Sequence, residues 1–145
     1  MGVVVGQSTT CSKTYETVKI GADDAVFRGK PDIPFAARVN GGHLIAFGRS
    51  EEAELYSVAI SQAKARSAAL TKFPSGKKSP SGNERDDHHA IAITLAAGAG
   101  PFVTIPGGFP IIINGTCVGA VGASGAAKND IEIAQAGVAA FNEAG

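Results

Sequence analysis

The period of the apolar positions changes several times along the chain, and each change marks an element. Over Thr14–Arg28, the residues Tyr15, Val18, Ala22, Ala25 and Val26 recur at helical spacing, which predicts a helix ended by Gly29 and the turn-like Lys30-Pro31-Asp32. In Ile33–Arg49 two apolar runs flank Asn40-Gly41-Gly42, a hairpin signal because tight hairpin turns need positive φ. Glu51–Lys72 is the longest helical stretch, with Ser50 as candidate N-cap and Glu51, Glu52 and Glu54 near the positive helix start. Tyr56, Ala59, Ile60, Ala63 and Leu70 are its expected buried stripe. Its many alanines make it slim enough to lie close to a sheet.

The polar stretch Phe73–Arg85, rich in Pro, Ser, Gly and Lys, reads as an exposed, mobile loop; a lid or anion-binding loop is the functional alternative, given Lys77, Lys78 and Arg85. Asp86–Ala97 predicts a short helix, followed by a Gly/Pro-rich turn into Phe102–Ile105. Phe109–Ile113 and Thr116–Gly122 then flank Asn114-Gly115 as a second hairpin. Ile111, Ile113 and Val118 are expected on one face, and Ile112, Cys117 and Val121 on the other. A hairpin apolar on both faces belongs inside a sheet covered on both sides, where Gly119 and Gly122 can admit a helix or ligand close to the backbone. The last helix is expected at Asp130–Glu143, with Asn129 and Glu132 resembling a capping box and Ile131, Ala134, Val138 and Phe141 forming its apolar face. Gly137 interrupts that helix and suggests close packing. The order is that of an α+β domain, an antiparallel sheet with helices on its faces, over residues 14–145 after a loose arm, 1–13.

Composition narrows the function classes. A chain of 145 residues suits one domain with one core. Thirteen basic residues balance thirteen acidic ones, so there is no electrostatic funnel for nucleic acid and little repulsion between copies. The absence of Trp leaves a core of Ala, Ile, Val and Leu. The two cysteines, Cys11 and Cys117, do not make a disulfide framework, and a reduced, cytoplasmic setting is expected. The N-terminal segment lacks the features of a signal peptide, no apolar run has membrane-spanning length, and no membrane partner is expected.

Few residues can carry chemistry. Alternation across the first hairpin is expected to put Arg38 and His43 on one face, where a cation beside an imidazole can bind a carboxylate or enolate; alternatively His43 satisfies turn backbone groups. His88 and His89 follow Asp86-Asp87 and point about 100° apart on a helix, so they do not readily share a metal. Either could act as a general base oriented by an aspartate, or both could belong to a solvated turn. Lys64 and Arg66 lie two positions apart and face different directions. Ser124-Gly125 stands before the last helix, a place for an anion or oxyanion. Gly108 belongs to the Gly-rich edge where a ligand cleft is expected. The stretch GAVGASG is not a phosphate-binding loop and lacks its Lys, there is no covalent haem motif, and no metal site is expected.

Three segments carry a resemblance: GGFPIIINGTCVGAVGASGA followed by DIEIAQAGVAAF, VNGGHLIAFGR, and AISQAKARSAAL. Together they resemble the GlcG/HbpS family of haem-binding and haem-degrading proteins, which includes the C-terminal domain of PduO, from about Thr14 to the end. The resemblance implies a profilin-like fold, closed homo-oligomers, and haem as the one cofactor to expect. Lys64 matches the family's helix Lys, facing a cleft or neighbouring subunit, or else a surface ion pair. The sequence departs from the pattern at Asn40, where the family has Asp, and in the basic Phe73–Arg85 loop; Thr14–Arg28 contains no histidine. Two functions follow. One is a homo-oligomeric protein binding haem or another flat apolar ligand. The other is a cofactor-free isomerase, cyclase or lyase acting on a small organic substrate through His43, Arg38 and the Ser124 backbone. Residues Glu51–Lys72 are expected at the subunit interface.

Overall fold

The glycine and asparagine signals locate the sheet. A computed structural model of the chain describes residues 18–20, 25–27, 35–39, 42–49, 54–98, 100, 102–126 and 129–143. Strands β1 (Val18–Ile20) and β2 (Ala25–Phe27) form a two-stranded antiparallel sheet. Strands β3 (Phe35–Val39) and β4 (Leu44–Gly48) form the first predicted hairpin. Helix α1 (Leu55–Thr71) and helix α2 (Asp87–Ala96) follow. Strands β5 (Gly108–Ile113) and β6 (Thr116–Ala123) form the second hairpin, and helix α3 (Asp130–Glu143) ends the fold. The main sheet has the order β4-β3-β6-β5, antiparallel throughout.

The helix expected over Thr14–Arg28 is replaced, in its described part, by β1 and β2. Its apolar residues fit either period, and β-branched Val18, Ile20 and Val26 favour the pleated surface. The arm over 1–13 lies outside the described residues. The β5–β6 turn has φ of 49° at Asn114 and 76° at Gly115, the positive pair that an Asn-Gly hairpin supplies. Register shifts between Ile111 and Ile112, because Ile111 pairs with Gly119 and Ile112 with Cys117. Val118 is the extra residue of this bulge, and it reverses which face later β6 residues occupy. Val121 therefore joins Ile111, rather than Ile112, in the cluster with Ala123, Ile133 and Ala134. Ile112 and Ile113, at the hairpin tip, are exposed.

Both faces of the sheet are covered, as expected. Helix α3 packs Ile133 and Ala134 onto the Ile111/Val121 face, while Ile131 is partly exposed rather than in the stripe. Helix α1 lies on the other face, and here the glycines matter. A Cβ on Gly122 would stand 2.4 Å from the Ser61 carbonyl oxygen and 2.5 Å from the Ala65 nitrogen. A Cβ on Gly108 would overlap the Lys64 carbonyl. Gly108 is therefore the close helix–sheet contact of this face rather than the rim of a cleft.

Helix α1 starts at Leu55 with Glu54 as N-cap, not at Glu51 after Ser50, and Ser50 lies outside the described residues. Of the predicted buried stripe only Ala63 is buried. Ser57, Ser61, Lys64, Ala65, Ser67 and Ala68 face inward, whereas Tyr56 and Leu70 are exposed. The gap left by glycine and alanine strands is too thin for large side chains. Serine fits it because its hydroxyl can be satisfied within the helix: Ser61 donates to the Val58 carbonyl (3.0 Å) and Ser67 to that of Ala63 (2.8 Å).

Candidate functional site

The two ends of the sheet hold the two groups of candidate residues. At one end the β3–β4 turn rests on α1. Gly42, with φ of 76°, is buried there, and a Cβ on it would meet Arg66 Cγ at 2.9 Å, Arg66 Nε at 3.5 Å and Leu70 Cγ at 3.5 Å. The next two residues, His43 and Leu44, are exposed, and so is Leu70. An exposed histidine thus directly follows a turn residue that lies against the Arg66 and Leu70 side chains. Arg66 is partly exposed, while its Nε is buried without a hydrogen-bond partner. Arg38 is paired with Leu44 in the ladder rather than with His43.

At the other end, Lys64 is 1% exposed and neither faces a cleft nor forms a surface pair. Its Nζ donates to the Ala123 carbonyl (2.9 Å) and to Asp130 Oδ2 (2.7 Å). Asp130 Oδ1 accepts from the Ala126 N–H at 2.8 Å, so one carboxylate ties together α1, the end of β6 and the start of α3. Gly107 leaves room for this knot, since a Cβ there would stand 2.9 Å from Asp130 Cβ and 3.2 Å from Lys64 Nζ. Ser124 is buried and Gly125 exposed beside it, with φ of 112°.

The groups needed by the enzyme alternative are not gathered. His43 lies beyond the Arg38–Ala120 rung and Ser124 beyond the Phe35–Ala123 rung. Three strand positions alone separate those rungs by about 10 Å. His88 and His89 are exposed on the first turn of α2, where the Asp86 carboxylate caps the helix by accepting from the His89 backbone N–H at 2.8 Å. Asp86 therefore serves the backbone, not an imidazole. No group of three His, Cys, Asp or Glu side chains able to hold a metal ion occurs among the described residues.

The Phe73–Arg85 loop is stitched by its own bonds. Lys78 and Glu84 form a β-bridge, and the Arg85 guanidinium donates to the Gly76, Lys77 and Lys78 carbonyls while lying 5.8 Å from the Phe102 ring centre. Arg85 thus spends its guanidinium on the carbonyls of its own loop. Lys77 pairs with Asp87 at 2.6 Å on the surface, which holds the Asp87 carboxyl below its ordinary range and raises the Lys77 ammonium. The Tyr56 hydroxyl is raised by its hydrogen bond to Glu54 and by that carboxylate's charge. A cleft bounded by Thr71, Phe73, Gly76, Lys78, Arg85 and Phe102 measures about 10 Å³. That is the space of one water, far below the ~300–1,000 Å³ that encloses a drug-sized ligand.

The family model described as haem degrading protein HbpS-like matches residues 16–139. The chain belongs to the HbpS-like family. Protein GlcG of Escherichia coli K12 is 33% identical over 93 residues, 63% of this chain and 63% of GlcG's own length. Among solved structures, Klebsiella pneumoniae protein ORFY is 27% identical with a TM-score of 0.64, over 76% of this chain and 74% of that one. The PduOC:heme complex shares the fold at 23% identity with a TM-score of 0.56, over 76% of this chain and 80% of that one. These likenesses agree with the α+β, profilin-like architecture. No described helix is long and apolar enough to cross a membrane.

Two residues of these groups carry more than their sequence positions suggested. Asp130 closes the Lys64 knot from 66 positions away, a pairing no local pattern reveals. Arg66 did leave a signal: no acidic residue stands within four positions of it on either side, so the helix offers it no i, i+4 partner.

Proposed function

We propose that this HbpS-like domain binds haem or another flat apolar ligand on its outer surface, at the β3–β4 turn, and does so as a homo-oligomer. The observation that carries the reading is that His43 and Leu44, both exposed, directly follow Gly42, against which the exposed Leu70 side chain packs. Aliphatic surface of this kind suits the face of a planar ring system, and burying it supplies about 25 cal/mol per Å². An imidazole there is a ligand of the type that haem iron takes. Bound haem would supply its own redox and ligand chemistry; the chain's part is to offer a nitrogen donor at His43, apolar contact at Leu44 and Leu70, and exclusion of water between them. The kinship with a protein solved as a haem complex adds support. The one-water cleft near Arg85 cannot admit a ligand of that size.

Assembly follows from other exposed apolar groups. Leu55 and Tyr56 at the start of α1 are 77% and 65% exposed, and Ile91 and Leu95, one turn apart on α2, are 61% and 74% exposed. Covering them is the reason to expect a second copy, with an interface of about 1,200 Å² or more. Adding ferric haem to the purified protein and passing it through gel filtration tests both parts, with light scattering on the eluate. A Soret band that elutes with a mass of two or more chains is the expected result. Protein eluting free of haem overturns the binding reading, and a single-chain mass at every concentration overturns the assembly.

A further inference from the structure

Helix α1 carries two charges over its 17 residues, Lys64 and Arg66, and no acid. Their fates differ. Lys64 is neutralised by Asp130 in the interior. Arg66 has its stem clamped under Gly42, its Nε buried without an acceptor, and no described carboxylate paired with it. Glu54, the helix N-cap, lies twelve positions away, about 18 Å along the axis. A fixed guanidinium with a buried, unbonded Nε–H and no described carboxylate beside it is an arrangement that an anion would complete.

The surroundings say what kind of anion. Leu55, Ala59 and Leu70 share Arg66's side of the helix, within about 60° of arc at 100° per residue, and all three are exposed. Leu70 also touches the same turn residue as Arg66, and His43 and Leu44 continue that turn. A free phosphate or other compact, fully hydrated ion would waste this apolar border. An apolar body with a carboxylate at its rim would use both parts. We infer that Arg66 is the anion anchor of the β3–β4 site and that its ligand is an amphipathic carboxylate, the acid group held by the guanidinium and the apolar body laid over Leu70 and Leu44. This rests on the proposed location of the ligand site, but not on the ligand containing iron. The guanidinium is suited to the task because it presents a planar fork to a carboxylate and remains charged at any physiological pH.

The experiment compares metal-free protoporphyrin IX, a dicarboxylic acid, with its dimethyl ester, by fluorescence titration of the wild type, Arg66→Lys and Arg66→Met. Without iron, His43 coordination contributes nothing to either probe. The expected result is at least a tenfold weaker affinity for the diacid in Arg66→Met, a smaller loss in Arg66→Lys, and equal affinities of all three proteins for the diester. Diacid affinity unchanged in Arg66→Met overturns the inference, and so does an equal loss for acid and ester. Should the wild type bind neither porphyrin, the haem reading fails and the anchor is tested alone. The Arg66 Nε–H resonance of ¹⁵N-labelled protein is then followed during titration with octanoate and with octanol. A saturable shift with octanoate only supports the anchor, and no shift, or the same shift with both, overturns it.

Discussion

Replacing Lys64 with Met separates a ligand-binding lysine from a structural one. The Met side chain keeps the aliphatic volume but removes the ammonium that donates to Asp130 Oδ2 at 2.7 Å and to the Ala123 carbonyl at 2.9 Å. Both side chains are almost wholly buried, with 1% and 8% exposure. Asp130 is then left as an uncompensated charge, with the Ala126 N–H as its one remaining partner among the described residues. Breaking a buried pair from one side costs about 3–5 kcal/mol, a large share of the ~5–15 kcal/mol that holds an ordinary domain folded. At about 2–4 °C per kcal/mol for a domain of this size, the melting temperature should fall by roughly 6–20 °C. Urea denaturation at constant m is the assay, so that the shift in midpoint reports stability alone. The double variant Lys64→Met/Asp130→Asn should recover most of the loss, because no charge remains to be buried and the Asn oxygen still accepts from Ala126. Ligand affinity, measured where both proteins are folded, should not change. A loss below about 1 kcal/mol, the scale of an exposed pair, would refute the burial argument. Unchanged stability with abolished binding would return Lys64 to the ligand site.

Gly122→Ala should destabilise by about 1–3 kcal/mol or more, since the added Cβ meets α1 backbone rather than a movable side chain; a variant as stable as the wild type in urea would mean that the helix does not lie this close. The carboxyl of Asp87 should titrate below an ordinary aspartate in a ¹³C NMR experiment, because the Lys77 ammonium favours its charged form. The small stability this adds is present above the unfolded-state value and disappears as pH falls through the folded one. In Lys77→Gln the midpoint should rise, and an unmoved midpoint would refute the pairing.

Turn chemistry made the hairpins legible. Asn114-Gly115 has few conformations open to it, and the strands on either side followed within a residue or two. The slim, alanine-rich helix and the glycines that admit it were legible together. The buried face of α1 was not, because hydrophobicity pointed away from it: Ser57, Ser61 and Ser67 are buried by virtue of bonds to their own helix, and Leu55 and Tyr56 are left outside. The β1–β2 pair was not legible, because three-residue strands are too short to establish a period against a helical alternative. At the candidate site, His43 was visible as a titratable group beside a turn. Arg66 and Leu70, which lie against the preceding residue Gly42, come from a separate helix, admitted there by the absence of a Cβ at Gly42. The ladder partner of Arg38 was not legible either, because the register shifts between Ala37 and Arg38 and sets it opposite Leu44.

The central claim is that His43 and its apolar border hold the ligand, and the absorption spectrum of the ferric haem complex of His43→Ala beside that of the wild type tests it most directly, with the melting temperature of each apoprotein as control. His43 is exposed, so its removal should leave the melting temperature almost unchanged, within the ~0.5 kcal/mol typical of surface substitutions. The account predicts that the Soret band of the wild-type complex is lost or moved to that of free haem in the variant. The same band, at the same position and haem stoichiometry in both proteins, would contradict it.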